Sequence, residues 1–195
     1  MSEGRRSLDS RYFEDVYGRD IDPWKFRTSP YERDKYRATL DALPRPRYRA
    51  ALEVGCSIGV FTRLLAERCD AVLALDTSSR ALAEARREAV DLPHVAFAEA
   101  TLPRDFPAGR FDLIVLSEVL YYLSRADLAL LARRCRGALD PGGHMVLCHW
   151  LGPTDYPLGG DEAAEAFIAA VAPGWRPAAA RREARYRLDL LAEAG

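Results

Sequence analysis

The stretch LEVGCSIGVF, residues 52–61, passes from an apolar run into a glycine-framed turn and then into a helical pattern. Gly55 and Gly59 frame the turn, and glycine lets a backbone approach a ligand closely. In open α/β sheets, ligands bind beyond the carboxyl ends of the strands, which is where this turn would lie. Two glycines suit many ligands, so the residues around them decide what the turn can bind.

Strand and helix patterns alternate on both sides of this turn. The predicted strands are residues 50–54, 71–76, 95–99, 111–117 and 144–150, and the predicted helices are 60–68, 79–89 and 125–139. The strands read as apolar runs rather than alternating patterns, so both faces of the sheet should be buried. This predicts a Rossmann-like, doubly wound α/β fold with a mostly parallel sheet.

Local signals set several boundaries. Ser79 is the expected N-cap of the second helix, and the turn at residues 140–143 is expected to end the third. Residues 161–172 predict a further helix. Residues 175–182 and 185–194 predict a closing antiparallel strand pair, although Pro177 weakens the first strand.

The chain ahead of the first strand contains IDPWKFRTSPYE, residues 21–32. Within it, SPYE fits a capping box with Ser29 as N-cap and Pro30 as the first helical residue. The helix should run to about Leu43. We therefore expect a single domain over residues 1–195, with an N-terminal helical cover (residues 1–48) and a Rossmann-like core (residues 49–195).

Composition excludes several classes of protein. The 195 residues carry a net charge of −1, so no basic field points to nucleic acid. No apolar run is long enough for a membrane span, and the start of the sequence has no signal-peptide core. The four cysteines form no paired motif, which predicts reduced thiols, a cytoplasmic location and no metal site. We expect a monomer or a homodimer.

Acidic residues lie at the ends of the first two strands and indicate the kind of ligand. Glu53 lies two residues before Gly55, where a carboxylate disfavours a pyrophosphate and suits an ammonium or sulfonium. Asp76 ends the second strand, 21 residues after Gly55, and an acid there can accept both hydroxyls of a ribose. The GxGxxG pattern typical of NAD sites is absent. These features favour S-adenosylmethionine, with Glu99 and the Ala100 N–H as candidates for the adenine.

At this point the chain resembles the class I S-adenosylmethionine-dependent methyltransferases and, more narrowly, the nodulation protein S (NodS) family. The stretches that carry the resemblance are DPWKFRTSPYE, ALEVGCSIGVFT, CDAVLALDTS and FDLIVLSEVLYYL. The resemblance implies an N-methyltransferase, and the family's best-known acceptor is the free amine of a deacetylated glucosamine in a chitooligosaccharide. It also implies that the Ser117 carbonyl binds the cofactor ammonium. Residues 151–195 carry no matching motif.

The predicted cofactor-binding residues come from the cover, the glycine turn and the strand ends. They are Trp24, Glu53, Gly55, Cys56, Ser57, Gly59, Asp76, Thr77, Glu99, Ala100 and Ser117. Methyl transfer requires exclusion of water and alignment of the reactants, which can contribute about 7–11 kcal/mol. We expect part of the cover to close the site through aromatic residues, namely Tyr12, Phe13, Tyr17, Trp24 and Tyr31. Trp24 would contact the ligands or only attach the cover to the core, and both readings are open.

The predicted catalytic residues follow the fourth and fifth strands. Glu118 could bind the acceptor ammonium or take its proton. Tyr121 and Tyr122 could orient the acceptor, and in a helix they would point about 100° apart, one to the pocket and one to the core. His149 is the best-placed histidine for a general base, although an amine that reaches the site neutral would need none.

These features favour a methyltransferase that acts on a small-molecule amine, such as that of an amino sugar or related glycoside. A small-molecule O-methyltransferase of a natural-product pathway is the nearest alternative. An NAD-dependent oxidoreductase and a catalytically silent cofactor-binding module are alternatives of other classes.

Overall fold

The computed structural model describes residues 6–172 and 174–194. Residues 1–5 of the predicted cover lie outside this part of the chain. The helices are α1 (Ser10–Arg19), α2 (Pro30–Asp41), α3 (Val60–Ala66), α4 (Ser79–Glu88), α5 (Arg125–Ala138) and α6 (Gly160–Val171), with a 3-10 turn at Leu120–Tyr122. The strands are β1 (Ala51–Val54), β2 (Val72–Asp76), β3 (Val95–Glu99), β4 (Phe111–Ser117), β5 (Leu139–Trp150), β6 (Trp175–Arg182) and β7 (Tyr186–Glu193).

The strands form a seven-stranded sheet in the order β3-β2-β1-β4-β5-β7-β6. Parallel pairing joins β1 to β2, β2 to β3 and β4 to β5, whereas β7 pairs antiparallel with both β5 and β6. The prediction of a Rossmann-like, mostly parallel sheet with an antiparallel C-terminal pair is confirmed. The chain divides into two compact units, residues 9–101 and residues 102 onward together with those up to residue 8. The single-domain assignment stays a prediction.

In the unit of residues 9–101, side-chain caps mark where α2 and α4 begin. Ser29 Oγ accepts the Glu32 N–H at 3.3 Å, so the predicted cap of α2 is confirmed. The cap of α4 is Ser78, whose Oγ accepts the Ala81 N–H at 3.2 Å. The prediction of Ser79 was therefore wrong by one residue, because Ser79 is already the first residue of the helix.

In the other unit, β5 begins five residues earlier than predicted. Phe111 of β4 pairs with Leu139, but Leu113 pairs with His144, so the expected turn at residues 140–143 is a bulge within the strand. A Cβ at Gly143 would lie 2.9 Å from the Leu139 side chain and 3.0 Å from the Asp140 carbonyl oxygen, so a larger residue there would force these neighbours to shift. The apolar pattern that begins at His144 marks only the regular part of the strand.

The C-terminal strand pair is present where it was predicted. Residues 176–182 of β6 are exposed, as expected for an edge strand, and the pairing register shifts between Pro177 and Ala179. A proline cannot donate to the ladder, so it is tolerated at an edge and at a bulge. No helix in the described ranges is long and apolar enough to cross a membrane.

Candidate functional site

The glycine turn has a fixed and unusual backbone conformation. Gly55, Ser57 and Gly59 have φ angles of 75°, 52° and 83°. The N–H groups of Gly55 and Cys56 donate to the Leu75 carbonyl at 2.8 and 2.9 Å, which ties the turn to the end of β2. A Cβ at Gly59 would lie 3.0 Å from Ala85 of α4. The turn is therefore held in place from two sides.

Asp76, the last residue of β2, connects this turn to the start of α4. Its Oδ2 accepts the Ser57 N–H at 2.8 Å and its Oδ1 accepts the Ser78 N–H at 2.9 Å. The Thr77 backbone N–H also hydrogen-bonds this carboxylate, and a carboxylate has about four acceptor positions, so acceptor capacity remains for a ligand hydroxyl. Burial raises the pKa of Asp76 to about 6, although the hydrogen bonds from Ser78 and Ser57 oppose the rise.

Glu53 is the more deeply buried of the two acids, with 3% of its surface exposed. Within the described residues, its Oε2 has no hydrogen-bond partner. Burial raises the pKa of Glu53 to about 7; the Thr62 hydroxyl acts against this rise and the Asp76 charge adds to it. A buried carboxylate with an unsatisfied oxygen is the arrangement that a positively charged ligand would stabilise.

Aromatic residues of the predicted cover pack on the glycine turn. Tyr17, Ile58 and Ala81 form a buried cluster against which Phe13, Trp24, Phe26 and Val60 pack. The Tyr17 hydroxyl donates to Ser57 Oγ at 2.6 Å, and the Tyr17 and Trp24 rings meet edge to face at 5.7 Å. Trp24 thus attaches the cover to the turn. Its contact with a cofactor stays a prediction.

The other predicted cover residues differ in position. Tyr12 is exposed and meets Phe13 edge to face at 5.1 Å. Tyr31 lies on α2, with the buried Lys35 ammonium 5.2 Å from its ring centroid. Glu14, which the sequence analysis missed, accepts hydrogen bonds from the hydroxyls of Ser78 and Ser79. It is therefore a second link between α1 and the start of α4.

The remaining cofactor candidates in this unit follow β2 and β3 or lie in the turn. Cys56 is buried, and burial raises the pKa of its thiol; its N–H donates to Leu75 and its carbonyl accepts the Gly59 N–H, so its role in binding stays a prediction. The Thr77 hydroxyl bonds that of Thr101 at 2.8 Å. Glu99 is exposed and pairs in register with Asp76. The Ala100 N–H was expected to be available to adenine, but it donates to the Asp76 carbonyl at 2.9 Å, as part of the β2–β3 pairing.

In the other unit, Glu118 follows β4 with a φ of 56°, which is strained for a residue with a side chain. Its Oε2 accepts the Tyr121 hydroxyl at 2.6 Å and the Trp150 N–H at 2.9 Å. Ser117, the last residue of β4, is half-buried and pairs in register with Cys148. Glu118 therefore presents a carboxylate that is held at the ends of two neighbouring strands.

Three tyrosines lie beside this carboxylate and are called the tyrosine cluster: Tyr121, Tyr122 and Tyr156. The Tyr121 and Tyr156 rings are stacked with centroids 5.2 Å apart, and Tyr122 meets each of them edge to face at 4.7 and 4.6 Å. Tyr121 is buried, whereas Tyr122 and Tyr156 are half-buried. Tyr121 and Tyr122 lie in a 3-10 turn rather than the expected helix, and the assignment of one to a pocket and one to the core stays a prediction.

His149 has no exposed surface. Its Nε2 accepts the Leu120 N–H at 3.1 Å, and its ring meets Tyr121 edge to face at 5.4 Å. The nitrogen lone pair that a base would use is thus engaged with the backbone of the 3-10 turn. This geometry favours a positioning role, and the role of His149 as general base stays a prediction.

Tyr156 is the residue that the sequence analysis missed in this unit. It lies in the segment LGPTDYPLGG, residues 151–160, which matches no family motif. One available signal was an aromatic residue in a proline- and glycine-rich loop that follows the same strand as His149. No cluster of three or more histidine, cysteine or acidic side chains that could hold a metal ion occurs among residues 6–172 and 174–194.

Known proteins similar to this chain share its fold. A Pseudomonas syringae protein with a provisional methyltransferase assignment has a crystal structure that matches with 40% identity and a TM-score of 0.73, over 84% of this chain and 99% of that one. N-methyltransferase NodS from Bradyrhizobium japonicum WM9, in complex with S-adenosyl-L-homocysteine, matches in fold with 23% identity and a TM-score of 0.79, over 93% and 98% of the two chains.

Sequence comparison gives the family. Nodulation protein S from Rhizobium tropici is 34% identical over 64% of this chain and 53% of its own length. The chain spans about half the length of the curated nodulation protein S relatives that it matches. The family model for nodulation protein S (NodS) matches residues 13–140. The chain therefore belongs to the NodS family.

Proposed function

We propose that this protein is an S-adenosylmethionine-dependent methyltransferase, with an amine as the favoured acceptor. The observation that carries the proposal is the pair of buried acids, Glu53 and Asp76, at the ends of two neighbouring strands around the glycine turn. Two buried acids beside the turn repel a pyrophosphate and attract a cation. Membership of the NodS family supports the same reading.

The residues present fit this cofactor. Among residues 6–172 and 174–194, the buried Oε2 of Glu53 has no hydrogen-bond partner, which suits the ammonium of the methionine part. Asp76 retains acceptor capacity for the ribose hydroxyls. The role of the Ser117 carbonyl stays a prediction from the family resemblance. When bound, the cofactor supplies a methyl group on a positively charged sulfur.

The acceptor side is assigned to Glu118 and the tyrosine cluster. A protonated amine is a poor nucleophile, so the nitrogen must lose a proton before it accepts a methyl group. The Glu118 carboxylate can hold the ammonium form and accept that proton, while the Tyr121 hydroxyl fixes the carboxylate orientation. The amine of an amino sugar is the acceptor that we propose, as the family resemblance implies. A cytoplasmic location and a monomeric or dimeric state remain predictions.

Two measurements test this proposal. In calorimetry, S-adenosylhomocysteine should bind the purified protein and NAD should not. Methyl transfer from labelled S-adenosylmethionine should then be measured on deacetylated amino sugars, flavonoids and small amines, with mass spectrometry of the products. We expect N-methylated amino sugars. Binding of NAD in place of S-adenosylhomocysteine would refute the cofactor assignment, and methylation confined to hydroxyl groups would refute the acceptor.

A further inference from the structure

The loop between β5 and α6, residues 151–159, is held against the 3-10 turn at Leu120–Tyr122. The Leu158 N–H donates to the Tyr121 carbonyl at 3.2 Å. A Cβ at Gly160 would lie 1.9 Å from the Trp150 carbonyl oxygen, and one at Gly152 would lie 2.4 Å from the Trp150 ring. The loop is therefore closely packed at both ends, and this packing fixes where Tyr156 lies.

The spacing of the tyrosine cluster decides what it can bind. A cage for a methylated ammonium places the cation between ring faces, with each ring within about 6 Å of the charge. Here the centroids lie 4.6 to 5.2 Å from one another, which is contact distance between the rings themselves. The rings fill the space between them, so the cluster forms an aromatic surface and not a cage for a cation.

An aromatic surface of this kind suits a flat, partly apolar ligand. The half-buried Tyr122 and Tyr156 each keep part of their surface exposed, whereas Tyr121 lies beneath them with its hydroxyl on the Glu118 carboxylate. The C–H face of a pyranose ring packs against aromatic rings, while an amine on that ring requires a nearby negative charge. An open-chain amine can pair with the Glu118 carboxylate but gains little from contact with the aromatic rings.

We propose that Tyr156 is a specificity-determining residue for the acceptor, and that it favours amines carried on a pyranose ring over open-chain amines of similar charge. This inference rests on the proposed function, because it concerns the acceptor of that reaction. It assigns a role to a loop outside the part of the chain that the family model covers.

The test compares two acceptors and three variants. The acceptors are the glucosamine tetramer, which has a pyranose amine, and ethanolamine. Tyr156→Phe keeps the ring, and Tyr156→Leu removes it. Phe167→Leu is the matched control, since Phe167 is a fully buried ring of α6 in the same unit. The measured quantities are KM and kcat for each acceptor, the affinity for S-adenosylhomocysteine and the melting temperature.

We expect Tyr156→Leu to raise KM for the tetramer at least tenfold, to lower kcat/KM for ethanolamine at least fivefold less than kcat/KM for the tetramer, and to change the affinity for S-adenosylhomocysteine less than twofold. Tyr156→Phe should stay within threefold of the wild type. Phe167→Leu should lower the melting temperature without changing the preference between the acceptors. An equal loss for both acceptors in Tyr156→Leu would overturn the inference and indicate a structural residue.

Failure of the proposed function gives a different result. If the wild type does not bind S-adenosylhomocysteine, the cofactor assignment fails. If it binds S-adenosylhomocysteine but methylates neither amine, binding of the tetramer to the loaded protein is measured by calorimetry. Tetramer binding that weakens at least tenfold in Tyr156→Leu still supports the inference, whereas unchanged or absent binding overturns it.

Discussion

The glycine turn with its acids and the tyrosine cluster with Glu118 are built in opposite ways. The first uses backbone conformation and two buried carboxylates, all between residues 53 and 78. The second brings together aromatic side chains from the 3-10 turn and from a loop more than thirty residues later. The difference teaches that a compact local pattern can be read from the sequence, whereas a cluster built from distant segments cannot.

The largest effect is expected at the compact site. Asp76→Asn removes the charge and one acceptor oxygen, and its amide would face an N–H of Ser57 or Ser78. The negative charge strengthens the two hydrogen bonds that Asp76 accepts from these N–H groups, and each such bond contributes about 1.5–3 kcal/mol. We expect the affinity for S-adenosylhomocysteine, measured by calorimetry, to fall at least 100-fold. Asp91→Asn is the control, because Asp91 pairs with Arg63 at an exposed position of the same unit. An affinity within threefold of the wild type in Asp76→Asn would remove Asp76 from the site.

The next effect separates Glu118 from His149 in the second region. Glu118→Gln keeps acceptors for the Trp150 N–H and the Tyr121 hydroxyl but removes the charge, so we expect kcat/KM to fall 10- to 100-fold with little change in melting temperature. His149→Ala leaves the Leu120 N–H buried without its acceptor, which costs about 1–3 kcal/mol of stability. The kcat/KM of the folded His149→Ala protein should fall less than that of Glu118→Gln. The opposite order of activities would make His149 the base.

The smallest effect concerns pH. The pKa of Glu53 is about 7 in the free protein, above its ordinary value of 4.5. The folded state therefore binds more protons than the unfolded state between these values, and the contribution of Glu53 to stability falls as the pH rises from about 5 to 8. A ligand ammonium requires the ionised carboxylate, so affinity for S-adenosylhomocysteine should rise about tenfold from pH 6 to 8.

Glu53→Gln is the variant that isolates this group, because Asp76 also titrates near pH 6. Its affinity should be lower at pH 8 and should depend less on pH. In chemical denaturation without ligand, its stability should improve relative to the wild type as the pH rises. A parallel pH dependence of the two proteins would show that Glu53 does not face the cation.

The sequence predicted the parts of the molecule that local rules determine. Apolar runs gave the strands, and the Ser29 cap followed from its neighbours. The cap at Ser78 and the bulge that contains Gly143 were placed wrongly, because adjacent serines compete for one position and a turn signal also fits a bulged strand. Tyr156 and Glu14 act through contacts between distant segments, and no spacing along the chain reveals such contacts.

The hydrogen bond from the Ala100 N–H to the Asp76 carbonyl was missed for the same reason, because it joins two segments that are distant in the sequence. A strand end supplies donors only where the neighbouring strand does not use them, and this depends on register. Asp76 of β2 pairs with Glu99 of β3, so the N–H of the next residue, Ala100, takes part in the hydrogen bonding between the two strands. The sequence indicated that these residues are neighbours but not which of their polar groups are already used.

The short segment ahead of α1 has a consequence for the design of shortened proteins. The Leu8 N–H donates to the Tyr122 carbonyl at 2.9 Å, and the Ser7 hydroxyl accepts the Ser124 N–H at 2.8 Å. Removal of residues 1–28 in one deletion would therefore strip the backbone beside Tyr122 of two bonds as well as removing Tyr17 and Trp24. Point substitutions in α1 that leave residues 6–8 in place would report on the aromatic packing alone.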